Sequence, residues 1–247
     1  MTENYYYDMT HTVLYSEIDA RGLLSLPSFF ALFQEAALLQ AEELGFGDAY
    51  CKKEGLMWVL SRLTVEVENF PRHRARLSLR TWPKQPKGPF ALRDFLLRSK
   101  EGAIMARATS AWLLLNAESL KPLRPGPLFE KFPLAGLGEA IPGTAEKIGG
   151  EKGEAALELE VSALYSDLDQ NDHVNNTRYV RWFLDCYRPG EVASVEKLHF
   201  SINYLQAAAF NDRLRLRRCD SQTYSTVRGF FEDGTESFAA RISRRGS

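Results

Sequence analysis

Cysteine is scarce and scattered in this 247-residue chain. There are three, Cys51, Cys186 and Cys219, an odd number with no CxxC or Cys/His grouping. That excludes a disulfide framework and a cysteine-based zinc site. No metal and no cofactor are expected. An excess of charge of one sign is missing too. Lys and Arg total 31 against 32 Asp and Glu, for a net charge of −1 at pH 7. Nucleic-acid binders are usually basic, so no nucleic-acid partner is expected. No apolar run approaches the roughly 20 residues of a membrane-spanning helix. The opening MTENYYYDMTH lacks the basic and apolar segments of a secretory signal. These absences point to the cytoplasm and to no membrane insertion.

What is present is enough for a core: 45% hydrophobic and 26% charged residues, a globular balance suited to two ordinary domains or one large one. The chain also repeats itself. LYSEIDARGLLSLPSFFALFQE, from Leu14 to Glu35, and LYSDLDQNDHVNNTRYVRWFLD, from Leu164 to Asp185, align at an offset of 150. Leu14, Tyr15, Ser16 and Asp19 recur as Leu164, Tyr165, Ser166 and Asp169. A helix follows in each copy. Phe29, Phe30, Leu32, Phe33, Ala36 and Ala37 are dense enough to predict a largely buried helix. Val180, Phe183, Leu184 and Tyr187 have amphipathic spacing. Ser25 and Asn175 occupy N-cap positions, Pro27 suits a first turn, and Gly45 and Pro189-Gly190 are the expected helix ends.

Period-two alternation comes next in both halves. Leu63, Val65 and Val67 match Leu198, Phe200 and Ile202, and Leu77 and Leu79 match Leu214 and Leu216. Phe90–Lys100, Ala103–Leu115, Thr223–Phe231 and Thr235–Ser243 also read as strands. Between the halves, Asn116 to Gly150 holds five prolines and six glycines, a linker composition. The expected fold is α+β: two copies of one domain, each a helix wrapped by an antiparallel sheet, packed as a pseudo-dimer. The boundaries are 1–125, a linker over 126–152, and 153–247.

The second copy carries polar residues that the first does not. Asp169, Asn171 and His173 precede a helix N-terminus, where free N–H groups and the dipole can hold a developing oxyanion. His173 can act as a base or orient water near neutral pH. Asp169 can orient the imidazole or activate water, and Asn171 can position a carbonyl or water. Together these suit hydrolysis of an activated acyl group. Asp/Asn-rich stretches before helices also serve as turns and caps, the reading favoured for Asn175 and Asn176. The first copy keeps Asp19 but has Arg21 in place of Asn171 and Leu23 in place of His173. Residues needed only by the fold could have stayed in both copies, so the asymmetry fits duplication followed by loss of one site.

DLDQNDHVNNTRYVRWFLD resembles the signature of the acyl-acyl carrier protein thioesterases of plants and bacteria. RTWP at Arg80–Pro83, RDF at Arg93–Phe95 and ARATSAWLLLN at Ala106–Asn116 resemble that family as well. The resemblance implies a tandem hotdog fold. It also implies hydrolysis of fatty acyl-acyl carrier protein to free fatty acid, ending chain elongation. The N-terminal hotdog would bind the acyl chain and the C-terminal one would react. By position, Asp169, Asn171 and His173 are the implied catalytic residues. Where plant members carry a glutamate–cysteine pair, this chain has Asn203 and Tyr204, which argues against a cysteine nucleophile. Asn203 is left as a candidate for holding water and Tyr204 for contacting substrate.

Asn175, Leu24, Phe29, Phe30 and Trp58 are further substrate-binding candidates, with plain core packing as the competing reading for the apolar ones. Acyl carrier protein, the expected partner, is acidic. Arg213, Arg215 and Arg217, which would share one strand face, and Arg72 of the RHRAR cluster are its candidate docking residues. The alternatives are an acyl-CoA thioesterase and a non-catalytic acyl-binding hotdog. A hotdog hydratase fits less well, because its motif D-x-N-P-x-H sets histidine five residues after aspartate and here the spacing is four. Both a monomer and a homodimer are compatible with a tandem chain.

Overall fold

A computed structural model of the chain describes residues 5–130, 132, 134, 136–150, 155–193 and 197–244. The first half runs β1 (Tyr7–Thr12), α1 (Leu26–Glu43), α2 (Asp48–Glu54), β2 (Leu56–Val67), β3 (Arg76–Lys87), β4 (Phe90–Ser99) and β5 (Ile104–Asn116). The connection contributes β6 (Pro122–Leu123) and α3 (Gly126–Phe129). The second half repeats the order with β7 (Leu157–Ser162), α4 (Asn176–Asp185), α5 (Pro189–Ala193), β8 (Leu198–Tyr204), β9 (Arg213–Asp220), β10 (Tyr224–Phe230) and β11 (Glu236–Arg244).

All the long strands join one antiparallel sheet in the order β1-β3-β4-β5-β2-β8-β11-β10-β9-β7. The order is palindromic about the β2–β8 pair, whose register runs from Arg62↔Asn203 to Val67↔Leu198. The predicted duplication is therefore built into the sheet, which curls around α1 and α4 as two hotdogs side by side. Phe200 of β8 sits at the junction, edge-on to Phe30 of α1 at 5.7 Å and to Phe183 of α4 at 4.9 Å. A ring touching both helices makes one core out of two halves.

The helix signals act where the sequence placed them. Ser25 caps α1 by accepting the Ser28 N–H, and Gly45, at φ +76°, ends it in the left-handed region. Asn175 caps α4 by accepting the Thr177 N–H at 3.0 Å. The expected stop at Pro189-Gly190 is corrected: α4 ends at Asp185, and Pro189 opens the short helix α5. Proline's fixed φ suits a first turn as well as a break, so the residue alone does not choose.

The connection is a strap across the outer face of the sheet. Trp82 Nε1 donates to Gly138 O at 3.1 Å, and Lys84 Nζ to Gly143 O at 2.7 Å. Asp94 Oδ2 accepts the Ala140 N–H at 2.6 Å, and Thr64 Oγ1 accepts the Glu146 N–H at 2.9 Å. Arg228 then reaches Gly149 O. These contacts follow the strand order β3, β4, β2 and on to β10, so the strap stitches the halves together from outside. The expected 152/153 boundary lies outside the described residues.

Candidate active site

The polar loop and its first-half counterpart share one backbone scaffold. Asp169 N–H donates to His173 O at 2.8 Å, and Asp19 N–H to Leu23 O at 2.8 Å. Asn175 N–H reaches Asp167 O as Ser25 N–H reaches Glu17 O. Val174 N–H meets Ala208 O as Leu24 N–H meets Pro71 O. The left-handed residue is Gly22 in one copy, at φ +73°, and Asp172 in the other, at φ +58°. In both, the aspartate takes the N–H two residues on: Asp169 Oδ1 from Asn171 at 2.8 Å, Asp19 Oδ1 from Arg21 at 2.9 Å. The two aspartates thus do the same structural work, which explains why Asp19 persists where the other polar residues do not.

The side chains differ in what they touch. Arg21 closes on Asp19 with a 2.7 Å ion pair and lies over the Phe70 ring at 4.6 Å. Asn171 and His173 are exposed, and their side chains find no partner among the described residues. Of the four histidines, His11 pairs with Glu17, His73 meets the Tyr15 ring, and His199 lies between Glu66 and Glu146. His173 alone stands free of such partners among the described residues. The loop sets it opposite Asp169 across a one-bond bridge, directly before the α4 N-terminus. Thr177 stands in the first turn there, where α1 has Pro27, and its N–H is held by the Asn175 cap.

Two aromatic residues brace this end. Tyr179 Oη accepts the Ala208 N–H at 2.9 Å, and burial raises its pKa above the usual phenol value. Tyr204 Oη donates to Asn176 O at 3.1 Å, and its ring meets Tyr179 edge-on at 5.5 Å. Tyr204 thus holds the α4 first turn. The Asn175 oxygen is taken up by capping, since it also accepts from Thr177 Oγ1 at 2.7 Å.

The expectation for Asn203 is corrected. Alternation along β8 turns Phe200, Ile202 and Tyr204 toward the helices and His199, Ser201 and Asn203 toward the strap. Asn203 Oδ1 accepts the Ile148 N–H at 2.9 Å and Nδ2 donates to Glu146 O at 2.8 Å. Both ends of its amide bind strap backbone, on the face of the sheet away from His173. A cysteine nucleophile finds no support either. Cys186 is buried on α4 with its thiol pushed up to about 11, and Cys51 is likewise buried and pushed up to about 11.

An apolar pocket opens in the first half, between the C-terminal part of α1, β2, β4, β5 and α3. Its walls include Ala37, Ala41, Phe46, Trp58, Trp112 and Phe129. Trp58, one of the substrate-binding candidates, lies on that wall. Leu24, Phe29 and Phe30 are corrected to core residues, at 0–2% exposure and away from the pocket. Arg93, also on the pocket wall, is a residue that sequence reasoning does not single out. A signal for it exists: Ala91, Arg93, Phe95 and Leu97 share one strand face, and a charge on an apolar face is anomalous.

Arg213, Arg215 and Arg217 do share a face, but it is not a free cationic one. Arg217 pairs with Glu158 at 3.0 Å, and Arg215 stands opposite Glu160 on edge strand β7. Arg72 is exposed beside Leu23, at the first half's turn. Among the described residues no helix is long and apolar enough to cross a membrane, and no group of three or more His, Cys, Asp and Glu gathers as a metal site.

Family models for the acyl-ACP thioesterase N-terminal and C-terminal domains match residues 4–125 and 150–231. A palmitoyl-acyl carrier protein thioesterase of Gossypium hirsutum is 29% identical over 189 residues, 68% of this chain and 44% of its own length. An oleoyl-acyl carrier protein thioesterase of Arabidopsis thaliana is 25% identical over 218 residues, 80% of this chain and 58% of its own. The chain therefore spans about half the length of the curated relatives it matches. The crystal structure of an acyl-ACP thioesterase from Bacteroides thetaiotaomicron superposes with a TM-score of 0.84 at 24% identity, covering 98% of this chain and 99% of that one. The 12:0-ACP thioesterase of Umbellularia californica gives 0.83 at 23%, covering 99% of each. These two likenesses establish the tandem hotdog fold. With both family models matched across most of its length, this chain belongs to the acyl-ACP thioesterase family.

Proposed function

We propose that this protein hydrolyses fatty acyl thioesters carried on acyl carrier protein and releases the free acid. The observation that carries the reading is the difference between two superimposable turns. The scaffold is kept in both, yet only the second bears Asn171 and His173, which do no structural work among the described residues. Residues 153–247 are then the reacting half, and residues 1–125, with the pocket at Trp58, bind the chain.

In this reading His173 takes a proton from water as its oxygen attacks the thioester carbon. The carbonyl oxygen gains charge beside the positive end of the α4 dipole and the Asn171 amide. The C–S bond then breaks, and the departing sulfur takes up the proton that His173 carries. Asp169 is a positioning residue, since its Oδ1 is spent on the turn. Carrier-protein docking near the arginines of β9, a cytoplasmic location and a homodimer belong to the same proposal. The plant relatives are named as chloroplastic.

The test is hydrolysis by purified protein of carrier-protein and CoA thioesters of matched chain length. Faster turnover of the carrier-bound series, lost in His173→Ala, is the expected result. Preference for CoA would overturn the carrier. Absence of turnover on both would overturn the hydrolase.

A further inference from the structure

The two halves present equivalent loops of opposite charge. The loop after β2 and the loop after β8 correspond residue by residue. Arg72 bridges Leu23 as Ala209 bridges His173. Arg74 N–H donates to Val13 O as Asn211 N–H donates to Ala163 O, both at 2.9 Å. The hairpin turns correspond too: Gly102 N–H reaches Ser99 O as Gly234 N–H reaches Phe231 O. In the first half Lys100 N–H donates to Arg76 O at 3.0 Å, which joins turn to loop. Residues 71–76 and 99–102 carry four cations, Arg72, Arg74, Arg76 and Lys100, and one carboxylate, Glu101. The matching residues 208–213 and 231–234 carry one cation, Arg213, and three carboxylates, Asp212, Glu232 and Asp233. Equivalent surfaces thus differ by five charges, in a chain whose net charge is −1.

All four cations of the first half are exposed, and none has a carboxylate partner among the described residues. The acids of the adjoining turn are taken: Glu17 pairs with His11 at 2.8 Å and Asp19 with Arg21 at 2.7 Å. Arg74 stands at φ +66°, where its counterpart Asn211 stands at +69°. Asparagine tolerates the left-handed region, whereas arginine is strained there. The backbone does not select this arginine, so the position is kept for its charge. Leu14 and Tyr15 extend the patch. They are 54% and 77% exposed, and the Tyr15 ring meets His73 edge-on at 5.7 Å. Leu164 and Tyr165 are as exposed in the second half, but without the cations.

The partner that fits is an extended anion. The cations stand on an open surface and enclose no single phosphate, so they act by number. An acidic carrier protein fits less well. Strands β2 and β8 are antiparallel, with Val67 opposite Leu198, so the loops that follow them lie at opposite ends of the central pair. A carrier docked at Arg72 would hold its thioester at the end without His173. A lipid surface has no such requirement, and arginine and lysine mixed with exposed leucine and tyrosine suit a headgroup layer. We propose that this face of the first half docks on anionic lipid membranes, with Arg72, Arg74, Arg76 and Lys100 among the headgroups and Leu14 and Tyr15 at their level. No segment crosses the bilayer. Docking does not depend on the hydrolase reading and is tested without turnover.

The probes are vesicles of phosphatidylcholine alone and vesicles in which about one third is phosphatidylglycerol, mixed with the full chain and followed by flotation. The wild type should bind the anionic vesicles at least about tenfold more tightly than the neutral ones, and should lose that preference as salt rises from about 0.05 M to about 0.5 M. The variant carrying Arg72→Ala, Arg74→Asn and Lys100→Glu copies the second half onto a backbone that already accepts those residues, so it should fold. It should weaken anionic binding at least about tenfold, each basic residue near such a surface being worth roughly fivefold. Leu14→Ser with Tyr15→Ser should weaken it less and leave the salt dependence in place. Equal binding to both vesicle types, no binding to either, or unchanged binding by the charge variant would overturn the proposal. Binding of a soluble acidic carrier protein that the charge variant loses, with no vesicle binding, would overturn it as well and give the patch to a protein partner.

Discussion

Asp169 and His173 are joined by one backbone bond, amide to carbonyl at 2.8 Å, and no side-chain bond between them accompanies it. The same bond at the same length joins Asp19 to Leu23. The fold therefore accepts leucine where His173 stands. His173→Leu should leave stability within about 0.5 kcal/mol of wild type, since the side chain is exposed and unpartnered. It should lower kcat/KM by about 10²–10⁴, the usual worth of a general base. Asp169→Asn keeps an oxygen for the Asn171 N–H and should lose less. Chemical denaturation and steady-state kinetics decide together. A larger loss in Asp169→Asn than in His173→Leu would make Asp169 the base.

The internal repeat makes that candidate site legible in the sequence, because the two copies share Leu-Tyr-Ser and the aspartate that follows, then diverge at Asn171 and His173. Alternation also places Asn203 correctly on its strand, with its side chain opposite to Phe200 and Ile202. What alternation cannot say is what covers the other face. Here it is the strap, whose residues lie more than fifty positions away in sequence. The aromatic run in α1 is ambiguous for a related reason: Phe29 and Phe30 look alike whether they fill a core or line a pocket, and only the wrapping of the sheet decides. Arg93 is the opposite case. It stands out as a charge in an apolar stripe, but only the structure shows the pocket that it lines.

Tyr179 and Tyr204 brace the same helix start in unequal ways. Tyr179→Phe removes the acceptor of the buried Ala208 N–H and should cost about 1–3 kcal/mol in denaturant melts. Tyr204→Phe removes only a donor to Asn176 O, a carbonyl that already faces the helix ladder, and should cost less, about 0.5–1.5 kcal/mol. Equal costs would mean that the Ala208 N–H finds another acceptor.

Buried thiols held as thiols make poor nucleophiles. Cys186, whose Sγ donates to Trp182 O at 3.5 Å, is packed at 1% exposure. Cys186→Ala should keep turnover within about threefold on folded protein, where a lost catalytic group would cost at least the ~10² of a general base. Thiol-directed alkylation of the native enzyme should leave Cys186 unmodified, as peptide mapping would show. Inactivation in step with Cys186 labelling would restore the cysteine mechanism.

Glu146 pins the strap to the second half and gives it a pH signature. Its carboxylate meets His199 Nε2 at 3.4 Å, Ser201 Oγ at 2.8 Å and Arg241 Nη1 at 2.7 Å, while the other ring nitrogen of His199 faces Glu66. The His199 contact first, then the Ser201 hydroxyl and the Arg241 charge, hold it down to about 2 against the cost of desolvation. In the unfolded chain a glutamate titrates near about 4.3. The folded state thus favours the anion. Its stabilisation is complete above about 4.3 and is lost as pH falls through about 2. Glu146→Gln should destabilise at pH 7 by about 1–2 kcal/mol, since the bonds are charge-assisted but partly solvated. The gap between variant and wild type should then close between about pH 4.3 and 2. Denaturation curves collected across that range give the answer, and a gap that stays constant down to pH 2 would show that the strap is held by its backbone bonds to Thr64 and Asn203 instead.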